Sequence, residues 1–169
     1  MAGFQIYKTE SVNPRYIHLQ NLLSEGRWED ADHETADRMW EVAGKWEERS
    51  LQAKDFENFS CEDLRTIDNL WTKYSKQHFG FSIQSRIFQS SDVKNDFFKF
   101  MSQIGWGKLD EKSNVFYYVP KPEYSLSAPE GELPWTVTYQ GSGDRNAYIS
   151  SPHSALHPVV HILTIKASI

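Results

Sequence analysis

The chain has 169 residues, a net charge of −5 and 24% charged residues, enough length for one domain that buries about 70% of its unfolded surface. The acidic balance argues against a nucleic-acid partner, which wants a basic face, and against charge-driven docking on anionic membranes. One cysteine, Cys61, excludes an internal disulfide, and no apolar run approaches the ~20 residues of a membrane span.

Residues 1–13 read as an extended lead-in, and residues 14–169 as a single domain. The lead-in has no hydrophobic signal core and is too short for a transit peptide, so a cytoplasmic location is expected, in keeping with the lone cysteine. Pro14 opens the first helix as a first-turn residue. Tyr16, Leu19, Leu22 and Leu23 form its apolar stripe, and Gly26 closes it. A second helix runs from Arg27 to Val42, with Ala31, Thr35, Met39 and Val42 on one face. Its other face carries Glu29, Asp30, His33, Glu34 and Asp37 and reads as solvated. Residues 44–58 form a charged connector anchored by Trp46 and Phe56.

From Phe59 the pattern sharpens. Ser60 and Asp63 have the spacing of a capping box. Leu64, Ile67, Leu70, Trp71 and Tyr74 then define one apolar helical face about three turns long. Gly80 breaks the chain between two phenylalanines, and Ser82 is placed to cap a short helix to Phe88. Val93, Phe97, Phe100, Met101 and Ile104 make a further amphipathic helix, stopped by Gly105. Beyond Trp106 lie six of the seven prolines and strand-like runs at Val115–Val119, Thr136–Tyr139, Ala147–Ile149 and Val159–Ile165, with a hairpin expected from the second and third. The fold class expected is mainly α, a helical domain whose loop-rich, partly extended C-terminal third forms one wall of a ligand cleft. Aromatic residues are 14% of the chain. A core of this size absorbs only part of them, so some are expected to line a cleft or an interface.

Enzyme signatures are missing: there is no phosphate-cradling glycine loop, no cysteine zinc spacing and no nucleophile elbow. Asp63 and Asp68 are five apart and do not share a helical face, so they do not make an acid–base pair. His153, His157 and His161 have the spacing of metal ligands on a helix, but Pro158 breaks that helix, so solvated or satisfied histidines are expected. Cys61 falls in a first helical turn, where inert packing is expected over a reactive thiol or a thioether-linked ligand.

The strings DLRTIDNLWTKYS and FGFSIQSRIF, residues 63–75 and 79–88, resemble the core signature of the genomes-uncoupled-four family. Three further stretches agree in the same order. These are YIHLQNLLSEGRWEDADHET from Tyr16 to Thr35, Ile104-Gly105-Trp106, and LSAPEGELP from Leu126 to Pro134. The family consists of porphyrin-binding regulators of magnesium chelatase in cyanobacteria and plastids. The resemblance covers residues 14–135.

It implies a non-catalytic protein that captures and delivers protoporphyrin or magnesium-protoporphyrin, with the large porphyrin-binding subunit of magnesium chelatase as partner. A porphyrin slot is flat and apolar, with cations at its rim for the propionates. Carried onto this chain, the ligand positions are Ala53, Phe56, Phe116, Tyr117, Tyr118, Val119, Leu133, Trp135, Tyr139 and Arg145. Several depart from the family pattern. Val119 stands for a tryptophan before Pro120, Ala53 for a phenylalanine, and Glu132 for the loop histidine, which places a negative charge near any propionate. Downstream of Pro134 the family's arginines are absent, and the first cation is Arg145. Two alternatives therefore stand beside the first reading: a divergent member that binds a bilin or haem as sensor or carrier, and an interaction module without a ligand.

Overall fold

The computed structural model describes residues 13–137, apart from 58, 111 and 114. Pro14–Tyr16 is a 3-10 turn whose Asn13 side chain accepts the Arg15 amide, and it runs directly into α1 (Ile17–Ser24). Helices α2 (Trp28–Val42), α3 (Cys61–Tyr74), α4 (Phe81–Phe88) and α5 (Phe97–Gln103) follow, then a hairpin of β1 (Gly107–Asp110) and β2 (Val115–Tyr118). The strands pair antiparallel, Gly107 opposite Tyr118 and Asp110 opposite Val115. The fold is mainly helical, as the apolar periodicity predicts.

Two apolar clusters form the interior. The first joins α1, α2 and α3, which pack against one another, through Tyr16, Leu19, Leu23, Ala31, Met39, Leu64, Ile67 and Trp71. The predicted stripes of α1 and α3 supply most of these residues. Trp71 lies at 0% exposure, its ring 6.1 Å from that of Trp28, and its indole N–H donates to Thr35 Oγ1 at 2.9 Å. That buried donor is satisfied, as a tryptophan core requires. The second cluster joins α4, α5 and the hairpin through Ile83, Ile87, Phe88, Val93, Phe100, Met101, Ile104, Trp106 and Phe116. Trp135 packs against both.

The α3–α4 turn shows how local chemistry differs from its sequence reading. Ser60 accepts the Asp63 amide at 3.2 Å, one half of the predicted capping box. The Asp63 carboxylate also accepts from Tyr16 Oη at 2.5 Å and Arg15 at 3.2 Å, tying the start of α3 to the start of α1. Ser82 does not cap α4. Its amide donates to Asp68 Oδ1 at 2.9 Å, so the carboxylate that serves the start of α4 comes from α3. Gly80 makes this approach possible: its φ is +132°, and a Cβ there would lie 2.8 Å from Asp68 Oδ1.

Four other expectations are corrected. Trp46 is 45% exposed and stacked beneath Arg49 rather than anchoring the connector, and Leu51 is buried in the same core as Phe56. Cys61 is exposed rather than packed. Val93 lies in a turn before α5, which begins only at Phe97 because Asp96 caps it through the Phe98 and Lys99 amides. Thr136 and Val137 are in a turn rather than a strand; the rest of that predicted hairpin and the 159–165 run lie outside the described residues. Strand β1 was not foreseen. GKLD has no strand alternation of its own, and it is held by the register of its aromatic partner.

Candidate functional site

The candidate site is built from the hairpin and the loop that follows it. In β2 the side chains alternate: Phe116 points inward at 8% exposure and Tyr117 outward at 49%. Phe116 rests on Phe98 and Tyr118, with ring centroids 5.1 and 5.3 Å away. Gly107 lies directly over it, where a Cβ would come within 2.1 Å of the ring. The Val119 amide donates to the Trp106 carbonyl at 3.0 Å, which ends the hairpin against the glycine–tryptophan turn.

Residues 120–136 then return across the two clusters, fastened to the helices along their length. Lys121 pairs with Glu29 at 2.7 Å. The His78 ring Nε2 donates to the Ala128 carbonyl at 2.8 Å, and the Gly131 amide donates to the His78 carbonyl. Gln84, fully buried, donates to the Gly131 and Pro134 carbonyls. Trp106 Nε1 donates to the Glu132 carbonyl at 2.8 Å, and the Gly80 amide to that of Leu133. Asp32, fully buried on α2, accepts the Trp135 amide at 2.7 Å, the Thr136 hydroxyl at 2.6 Å and the Thr136 amide at 3.1 Å. Burial pushes the Asp32 carboxyl above its ordinary value, and the Thr136 and Trp135 donors oppose that shift. The loop is thus a braced wall rather than a loose strap.

The ten sequence-selected positions fall into three groups. Phe116, Tyr117, Tyr118, Val119 and Trp135 gather on the hairpin and the seam it shares with the loop. Phe56 and Leu133 belong to the first core, at 2% and 0% exposure. Ala53 begins a 3-10 turn in the connector, while Tyr139 and Arg145 lie outside the described residues, as do His153, His157 and His161. Among the described residues no cluster of three histidine, cysteine or acidic side chains is placed to hold a metal, and no helix is long and apolar enough to cross a membrane.

Glu132 requires a correction. Rather than presenting a negative charge to the surface, it is 3% exposed, with Oε2 lacking a hydrogen-bond partner. Burial, together with the neighbouring Glu123 charge, raises its pKa to about 7. The sequence reading also passed over Asp32. Its available signal was spacing: it lies three residues before Thr35 and seven before Met39, on the apolar face of the helix.

A separate open concavity of about 520 Å³ lies between α5 and β1, floored by Phe98 and Leu109 and rimmed by Asp92, Asp96 and Lys99. It contains none of the selected residues.

Comparisons with known proteins agree with the mainly helical fold. The chain is 37% identical over 122 residues to a "Ycf53-like protein" of Synechocystis, covering 70% of this chain and 50% of that protein. It is 32% identical over 142 residues to the "Tetrapyrrole-binding protein, chloroplastic" of Arabidopsis thaliana, covering 79% and 53%. The chain therefore spans about half the length of the curated relatives it matches. The ligand-free structure of Arabidopsis thaliana GUN4 superposes with a TM-score of 0.69 at 24% identity, over 92% of this chain and 95% of that one, a likeness of fold. GUN4 from Chlamydomonas reinhardtii superposes with a TM-score of 0.60 at 28% identity, over 78% and 86%. A family profile described as GUN4-like matches residues 9–152, most of the chain, and the chain belongs to that family.

Proposed function

We propose that this chain is a non-catalytic tetrapyrrole-binding protein, residues 14–169 forming one binding domain. It holds protoporphyrin or magnesium-protoporphyrin and passes it to or from magnesium chelatase through the large porphyrin-binding subunit, in the cytoplasm. The observation that carries the reading is the braced aromatic wall. Tyr117 stands out from a hairpin whose inner face is locked by Phe116, and Trp135 packs against both apolar clusters. Preorganised aromatic surface at low entropic cost suits a flat macrocycle. Family membership and the tetrapyrrole-binding name of the Arabidopsis relative support the ligand class. Arg145 is the nearest downstream cation available to a propionate.

A second reading, a divergent member that takes a bilin or haem as sensor or carrier, is favoured by the altered loop sequence. Glu132 replaces the loop histidine the resemblance expects, and no arginine follows Pro134 before Arg145. Titration of the purified protein with deuteroporphyrin, haem and biliverdin separates the two, read by tryptophan quenching and by Soret or red-band shifts. One-to-one porphyrin binding at micromolar affinity or tighter, with bilins inert, supports the first. Binding to haem or bilin alone supports the second. Silence from all three leaves an interaction module and defeats both.

A further inference from the structure

Asp32 is the fifth residue of α2, too far inside the helix to cap it, and it has no exposure to water. A carboxylate in that position is costly unless its oxygens are fully engaged. Four donor groups engage it, all from residues about a hundred positions later in the chain. Oδ1 accepts the Trp135 amide at 2.7 Å, and Oδ2 accepts the Thr136 hydroxyl at 2.6 Å and the Tyr124 hydroxyl at 3.3 Å. The Thr136 amide is shared between both oxygens at 3.1 Å. Two of the four donors are consecutive backbone amides, so the main chain at Trp135 and Thr136 is held directly. With that backbone fixed, the Trp135 indole keeps only its two side-chain torsions. Packing against both apolar clusters then selects among them.

We infer that Asp32 is a positioning residue for the ligand wall, locking the Trp135–Thr136 backbone onto α2 and thereby setting the orientation of the Trp135 indole toward a planar apolar ligand. This role rests on the tetrapyrrole-binding reading. It requires two acceptor oxygens and no donor, which aspartate provides and asparagine does not. In Asp32→Asn, either placement of the amide group turns an N–H₂ toward the Thr136 amide, which can only donate.

Protein labelled with 5-fluorotryptophan carries six indole resonances, one for each tryptophan, and that of Trp135 is identified by its loss in Trp135→Phe. Asp32→Asn is expected to shift or broaden the Trp135 resonance while leaving that of Trp71 in place. It is also expected to raise the Kd for deuteroporphyrin at least tenfold, chiefly through faster release. Thr136→Val removes one donor and should fall between wild type and Asp32→Asn, which keeps the test available if the latter does not fold. A wild-type Trp135 resonance with Kd within twofold in both variants overturns the inference. So does a joint shift of all six resonances with Kd tracking Tm, the mark of general loosening. If wild type binds no tetrapyrrole, the binding reading fails, and the ligand-free Trp135 resonance then decides whether Asp32 positions it: a selective shift supports that hold and no shift overturns it.

Discussion

Asp68 Oδ1 lies 2.9 Å from the Ser82 amide, so a carboxylate near the middle of α3 serves as acceptor for the first turn of α4. A carboxylate at a helix N-terminus satisfies an orphan amide and complements the dipole, and here it also sets the angle between the two helices. Gly80 is the hinge that lets the helices approach, since a Cβ there would also lie 2.9 Å from Thr72 Cγ2. Gly80→Ala is therefore expected to cost about 2–4 kcal/mol, from backbone strain at positive φ and from the clash. Urea unfolding should show a lower midpoint at unchanged m-value, and a variant as stable as wild type would refute the hinge.

The core tryptophan gives a second expectation. Trp71→Phe removes the indole N–H that donates to Thr35 and leaves space beside Trp28 and Phe79. The combined loss of the bond and of packing should destabilise the fold by about 2–4 kcal/mol. Thr35→Val, which keeps the volume, should lose less. Equal losses in both would show that the hydrogen bond, not the packing, dominates.

The pH dependence of stability should carry the signature of Glu132. Its folded pKa of about 7 stands above the unfolded value near 4.3, so the folded state retains a proton that the unfolded state has released. Stability from this group is therefore present at acid pH, declines as pH rises from about 4.3 to about 7, and is level above that. The decline attributable to Glu132 is at most about 4 kcal/mol. Burial raises Asp32 and Asp68 as well, which adds decline of the same sign. Glu132→Gln should narrow the difference in unfolding free energy between pH 5 and pH 8. An undiminished difference would place the titration elsewhere.

The hairpin separates binding from stability. Tyr117→Ala alters an exposed side chain and should leave Tm within a degree or two while weakening porphyrin binding by ~1–3 kcal/mol. Phe116→Ala empties a site beneath Gly107 and should cost about 3–5 kcal/mol of stability. Arg145→Ala is expected to weaken binding by the same ~1–3 kcal/mol as Tyr117→Ala. Unchanged titration curves for both Tyr117→Ala and Arg145→Ala would move the site away from these residues.

The helices were legible in the amino-acid pattern because helix-forming information is local: spacing of Tyr16, Leu19, Leu22 and Leu23, or of Leu64 to Tyr74, marks which face is buried whatever lies against it. The aromatic strand Val115–Tyr118 was legible for the same reason. Its partner GKLD was not, because its strand state comes from pairing. Nor could spacing show that Asp63 reaches Tyr16, that Asp68 serves α4, or that Asp32 and Glu132 lie buried in a protein whose acidic residues otherwise read as surface. A carboxylate buried or exposed looks identical in one dimension. Tertiary structure decides which, by bringing donors from residues a hundred positions away to Asp32 and by leaving one oxygen of Glu132 with none.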